Sequence, residues 1–172
     1  MKKLLNLAVL LLLAAPAAAL EISGVNPAEV KGAAKADFAF SGVTLKNVAW
    51  EKGAVVMPVT DNKGKKYNDI KLLSKGLYAR FEACFKNGCA PAKPGAAPKV
   101  KISAPKALKS PARVANAELT FDGELLVVVG VMASKKEEGA FWVAFPRDLE
   151  FTDPALKSAV ESAVIAAWTK KK

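Results

Sequence analysis

The sequence predicts an α+β fold built from two repeated units, each an antiparallel sheet of three to four strands followed by one C-terminal helix, the pair packed as a pseudo-dimer. Three observations lead there. Residues 36–86 and 117–168 run in parallel as two copies of one pattern. Each copy passes from period-two alternation of apolar and polar residues to an apolar stripe at helical spacing. A unit this short buries too little apolar surface to stand comfortably alone, so two of them are expected to share a core.

The elements follow in order. Leu20-Glu21-Ile22-Ser23 echoes Val100-Lys101-Ile102-Ser103 as a first strand. Ala36-Asp37-Phe38-Ala39-Phe40-Ser41-Gly42 then matches Ala117-Glu118-Leu119-Thr120-Phe121-Asp122-Gly123, with Gly42 and Gly123 placed for tight hairpin turns. Val43 to Trp50 alternates as a strand with one wet face, whereas Glu124 to Val131 is almost continuously apolar, as for a strand covered on both faces. Val55-Val56-Met57-Pro58 matches Val143-Ala144-Phe145-Pro146 and closes a third strand. The turn before it is short in the first copy, Glu51-Lys52-Gly53, and long and polar in the second, Ser134 to Gly139. Ser74 and Asp153 are matching helix N-caps, the latter followed by Pro154 at the first helical position. Leu77, Phe81, Cys84 and Phe85 form the stripe of one helix; Leu156, Val160, Val164, Ala167 and Trp168 form that of the other. The expected order in both halves is strand, strand, strand ending in Pro, helix.

Around this pair the chain divides into a signal peptide at 1–19, a first unit at 20–89, a linker at 90–98 and a second unit at 99–172. Lys2 and Lys3, the apolar run Leu4 to Ala15 and the small residues Ala17-Ala18-Ala19 read as a secretory signal with cleavage before Leu20. A membrane anchor would need about 20 apolar residues, and Pro16 interrupts this run. Localisation is therefore expected to be periplasmic or secreted. Ala90 to Pro98 holds Pro, Ala and Gly with one Lys, a composition that stiffens a connection without feeding a core. Pro105 and Pro111 make the strand near Val100 short or peripheral.

Cys84 and Cys89 are the two cysteines. In an oxidising compartment they are expected to form a disulfide that folds the chain back over the end of the first helix, with Gly88 at the left-handed position. Closing so short a loop stabilises less than a long-range bridge. The alternative is a small periplasmic redox or hydrolytic enzyme using Cys84, Cys89 or a carboxylate. CxxxxC is not the CxxC of dithiol oxidoreductases, however, and no metal site is expected from two thiolates. The chain has no histidine. Imidazole bases, triads and histidine metal ligands are thereby excluded, and no P-loop or dinucleotide fingerprint is present. A non-enzyme without a cofactor is the expectation.

The net charge is +10, carried by lysines and only three arginines, Arg80, Arg113 and Arg147. Basic residues gather at Lys63-Gly64-Lys65-Lys66, around the linker and at Lys170-Lys171-Lys172. Such a surface favours polyanions through backbone-type, salt-sensitive contacts; reading of bases leans on the arginine fork instead.

Taken together, Ala36 to Phe40, Val43-Thr44-Leu45-Lys46-Asn47-Val48, Gly53 to Pro58, Lys66-Tyr67-Asn68-Asp69-Ile70 and the helix resemble the bacterial septation protein family SpoVG. The resemblance is best over 36–86. In the second copy Phe141 to Pro146 keeps the strand end and the Asp-Ile segment is lost. The resemblance implies units that dimerise through their sheets and, in cytoplasmic relatives, bind nucleic acid through basic residues just after the Met-Pro landmark. Here Val59-Thr60-Asp61-Asn62 follow Pro58, and the charge comes later as Lys63, Lys65 and Lys66; after Pro146 only Arg147 is basic. These four residues are the expected polyanion-binding set, with an acidic polymer or a protein of the envelope as partner and a link to septation implied by the family alone.

Overall fold

In a computed structural model the described residues are 19–27, 31–62, 64–90 and 92–170. Lys63 and residues 1–18 of the expected signal peptide lie outside them. Along the chain come β1 (Gly24–Asn26), β2 (Lys35–Phe40), β3 (Val43–Glu51), β4 (Ala54–Val56), β5 (Thr60–Asn62), β6 (Lys65–Tyr67), β7 (Ile70–Leu72) and α1 (Lys75–Asn87). There follow β8 (Val100–Ile102), β9 (Lys106–Ala107), β10 (Arg113–Phe121), β11 (Leu125–Ala133), β12 (Phe141–Ala144), β13 (Leu149–Phe151) and α2 (Pro154–Thr169). The fold is α+β, and the strand pairings are antiparallel.

Neither of the two larger sheets is drawn from one half of the sequence. The first has the order β1-β2-β3-β13 with β4 also on β3; the second has β12-β11-β10-β8 with β7 on β11 and β9 on β10. Thus β13 crosses from the C-terminal half to pair with β3, and β7 crosses the other way to β11. The registers correspond. Leu149, Glu150 and Phe151 stand opposite Leu45, Thr44 and Val43, while Ile70, Lys71 and Leu72 stand opposite Val127, Leu126 and Leu125. The flanking bonds correspond too: Lys46 N–H donates to the Asp148 carbonyl and Val128 N–H to the Asp69 carbonyl, each at 2.7 Å.

Within the hairpins Phe38 faces Leu45 as Leu119 faces Val127, and Trp50 faces Val55 as Val131 faces Val143. One extra residue separates β3 from β11. Ala36 and Phe38 are two apart, but their partners Val48 and Leu45 are three apart. The surplus is taken up beside Asn47, whose φ of +57° is a left-handed conformation that asparagine tolerates better than branched residues.

Two expectations need correction. The order strand, strand, strand, helix omits β7 and β13, and it omits the β5–β6 ribbon that follows Pro58 in the first half. The upstream echo is displaced as well: Gly24 faces Ala39 where Lys101 faces Thr120, so β1 corresponds to β8 three residues later than Leu20-Ser23 suggested. Leu20 and Ile22 are spent on burial instead, at 2% and 5% exposure.

Burial explains the rest. Apolar residues of both halves belong to one core cluster in which Phe38, Phe81, Leu45, Leu119, Phe121 and Val127 are fully buried. Helix α1 sets Phe81 against Phe38 with ring centroids 4.5 Å apart and Phe85 against Trp50 at 5.7 Å. Helix α2 sets Trp168 edge-on to Phe141 at 6.2 Å. Each such side chain contributes on the order of 1.5–3 kcal/mol through water excluded from its surface. Ser74 Oγ accepts from Gly76 and Leu77 N–H at 3.0 and 3.2 Å, and Asp153 Oδ1 from Ala155 and Leu156 N–H at 2.8 and 3.3 Å, so both helix starts are capped.

Cys84 and Cys89 stand at disulfide distance, their Cα atoms 4.3 Å apart. Gly88, at φ +90°, donates to the Cys84 carbonyl at 2.9 Å and turns the chain back over the helix end. The segment between the halves is pinned to the surface: Ala92 N–H donates to the Ile22 carbonyl at 2.8 Å and Ser41 Oγ to the Gly95 carbonyl at 2.9 Å. Among the described residues no helix is long and apolar enough to cross a membrane.

Candidate ligand-binding grooves

The two halves differ most after their matching prolines. Pro146 runs through Arg147 and Asp148 straight into β13, whereas Pro58 is followed by the β5–β6 ribbon before β7 begins. The ribbon stands between two grooves, and Thr60 lines both.

The first groove, about 380 Å³, is lined by Lys35, Asn47, Pro58, Val59, Asp61, Arg147 and Asp148. A contiguous recess adds Lys66 beside the same Lys35, Pro58, Val59 and Asp61. Of the four expected polyanion-binding residues, Lys66 and Arg147 therefore meet around Pro58 and Val59. Lys65 is exposed near the ribbon tip opposite Asn62, and Lys63 lies outside the described residues. Lys35 joins the set although no local pattern marked it.

Carboxylates temper this charge. Asp148 accepts from Asn47 Nδ2 at 2.7 Å, Asp61 accepts from Gly64 N–H at 3.0 Å, and Asp37 accepts from Asn47 N–H at 2.9 Å. Lys46 pairs with Glu150 at 2.5 Å, and that hydrogen bond and charge hold its ammonium above the usual lysine range. Lys46 is therefore already engaged. Lys35, Lys66 and Arg147 remain as the cations lining the groove and its recess.

The second groove, about 430 Å³, is lined by Thr60, Asn62, Tyr67, Asp69, Leu108, Ser110, Arg113 and Asn116. Asn116 faces Gly130 in the register in which Lys35 faces Ala49, and Asp69 matches Asp148. The two grooves therefore occupy corresponding places on the two sheets. Arg113 is the residue that sequence reasoning missed. Its Nε donates to Asn116 Oδ1 at 2.7 Å, and its side chain lies across the backbone of Gly130, where a Cβ would come within 2.7 Å of Nε and 3.1 Å of Cζ. The signal was present in Gly130 itself. A glycine inside an apolar central strand marks close approach by another group. Among the described residues no carboxylate forms an ion pair with Arg113. Tyr67 and Leu108, 44% and 40% exposed, add apolar surface to this groove.

Arginine held at Nε leaves its two terminal amino groups as a fork for an oxyanion. The first groove offers point charges for the same chemistry. Compared with family models, curated proteins and solved structures, the chain matches none of them.

Proposed function

We propose that the protein is an exported, non-catalytic binding protein of SpoVG-like organisation, two repeated units joined as a pseudo-dimer, whose ribbon and flanking grooves take an anionic polymer of the envelope. The crossed pairing of β7 and β13 in corresponding registers supports the two-unit reading. The observation that carries the binding reading is Arg113, positioned by Asn116 over Gly130 without a carboxylate partner among the described residues and lining a groove beside the ribbon. Lys35, Lys66 and Arg147 extend the cationic lining to the ribbon's other side. The chain's net charge of +10, of which Lys2 and Lys3 of the leader carry two, works in the same direction.

Titration with polyphosphate, a teichoic-acid-type polymer and single-stranded DNA at low and physiological salt tests this. Binding is expected to weaken with salt, and Arg113→Ala or the pair Lys66→Ala/Arg147→Ala to flatten the salt dependence by roughly one unit of log–log slope per charge removed. Binding that ignores both sets of substitutions would refute the site. Absence of binding to every polymer at low salt would refute the function.

A further inference from the structure

Leu20 enters the fold with its side chain 2% exposed and its backbone N–H donating to Glu124 Oε2 at 2.8 Å. Glu124 reaches it from the turn between β10 and β11 and is itself sheltered, its side chain 14% exposed. Oε1 accepts from Ser74 Oγ at 2.7 Å, and Oε2 also pairs with Arg80 Nη2 at 2.5 Å. Arg80 in turn donates to the Leu20 carbonyl at 3.3 Å. A neutral amide needs no carboxylate to satisfy it. The β2–β3 turn has two residues, Ser41 and Gly42, and the β10–β11 turn has three, so Glu124 follows Gly123 as an added residue; the Gly42 carbonyl accepts from Thr152 N–H at 3.0 Å as the Glu124 carbonyl accepts from Leu73 N–H at 2.7 Å. The carboxylate beside Gly42 is that of Asp153, which is spent on capping α2, whereas Glu124 is turned to the incoming chain, and the nitrogen it holds is the one that cleavage after Ala17-Ala18-Ala19 would release.

We propose that the Ala19–Leu20 bond is a processing site and that the α-ammonium freed at Leu20 forms an ion pair with Glu124, fastening the new N-terminus to the C-terminal half of the chain. The inference rests on the reading of the leader as a cleaved export signal. In the step, an endopeptidase selective for small residues adds water across the amide. The C–N bond breaks, Ala19 leaves with the leader as a carboxylate, and the Leu20 nitrogen takes the water proton and then one more from solvent. One uncharged donor becomes three donors and a positive charge at the same position. The neighbouring carboxylate favours the charged amine, and Arg80 opposes it while being neutralised by that same carboxylate.

The test begins with the full chain exported by a bacterial host. Intact mass and N-terminal sequencing are expected to show a chain starting at Leu20; an uncut chain or another start would overturn the processing site. The processed protein is then melted beside a form carrying Gly-Ser ahead of Leu20, which restores an amide there and leaves Glu124 untouched. The processed form is expected to melt several degrees higher, since each kcal/mol moves Tm by roughly 2–4 °C in a domain of this size. Glu124→Gln is expected to remove that difference. Equal melting of the processed and extended forms would overturn the ion pair while leaving the processing site standing, and this comparison holds even if Glu124→Gln fails to fold.

Discussion

Because β7 completes the sheet of β11 and β13 completes that of β3, damage to the core beside one helix should be felt equally at the other. Phe81→Ala provides the perturbation. Phe81 is fully buried, with its ring 4.5 Å from Phe38 and 6.2 Å from Phe40. Removing a buried phenylalanine ring costs about 3–5 kcal/mol, cavity included. With a urea slope of about 2 kcal/mol/M, the midpoint should fall by about 2 M. The assay is tryptophan fluorescence in two single-tryptophan backgrounds. One keeps Trp50, stacked on Phe85 of α1; the other keeps Trp168, a buried residue of α2 set against Phe141. Both probes are expected to report one midpoint and one slope before and after the substitution. A Trp168 transition that stays in place while the Trp50 transition moves would show that the crossed strands do not couple the halves.

Three further outcomes follow. Burial raises the pKa of Glu124, but the Ser74 hydroxyl, the Leu20 amide and Arg80 outweigh it and hold the carboxyl below the usual glutamate range. Its unfolded value being higher, the group stabilises the protein above about pH 4.3 and loses that contribution as pH falls through the folded value, so acid unfolding of Glu124→Gln should be shallower there. Gly130→Ala is expected to displace Arg113 and weaken anion binding as much as Arg113→Ala does, while thermal melting moves by less than about 3 °C; full binding would refute the role of the close approach. Cys84→Ser with Cys89→Ser should cost about 2 kcal/mol from loop closure, read as a lower Tm, and leave polymer affinity unchanged; a lost affinity would place the disulfide in the site.

What the sequence disclosed was local. Alternation in Ala36–Phe40 and Ala117–Phe121, the stripes of α1 and α2, the caps Ser74 and Asp153 and the turns at Gly42 and Gly123 each depend on neighbours within a few residues, and all are in the structure. Ile70-Lys71-Leu72 and Leu149-Glu150-Phe151 do alternate, but three residues are too few to carry a period, and their partners lie far off in the opposite half of the chain. The ribbon escaped notice because β5 and β6 are polar and neither has a buried residue. The site divided along the same line. Lys66 and Arg147 stood out as charges near a landmark, whereas Arg113 acquires its meaning from Gly130 and Asn116, one across a strand pair and the other three residues on.

The crossed strands have a consequence for how such a chain can be cut and copied. Neither half can be excised as a working module, since each would leave with an open sheet edge and a missing border strand. Two molecules could trade halves with every backbone bond kept, and only the short connection pinned at Ala92 and Gly95 makes the exchange within one chain the nearer choice. Shortening that connection should therefore yield intertwined oligomers rather than unfolded protein.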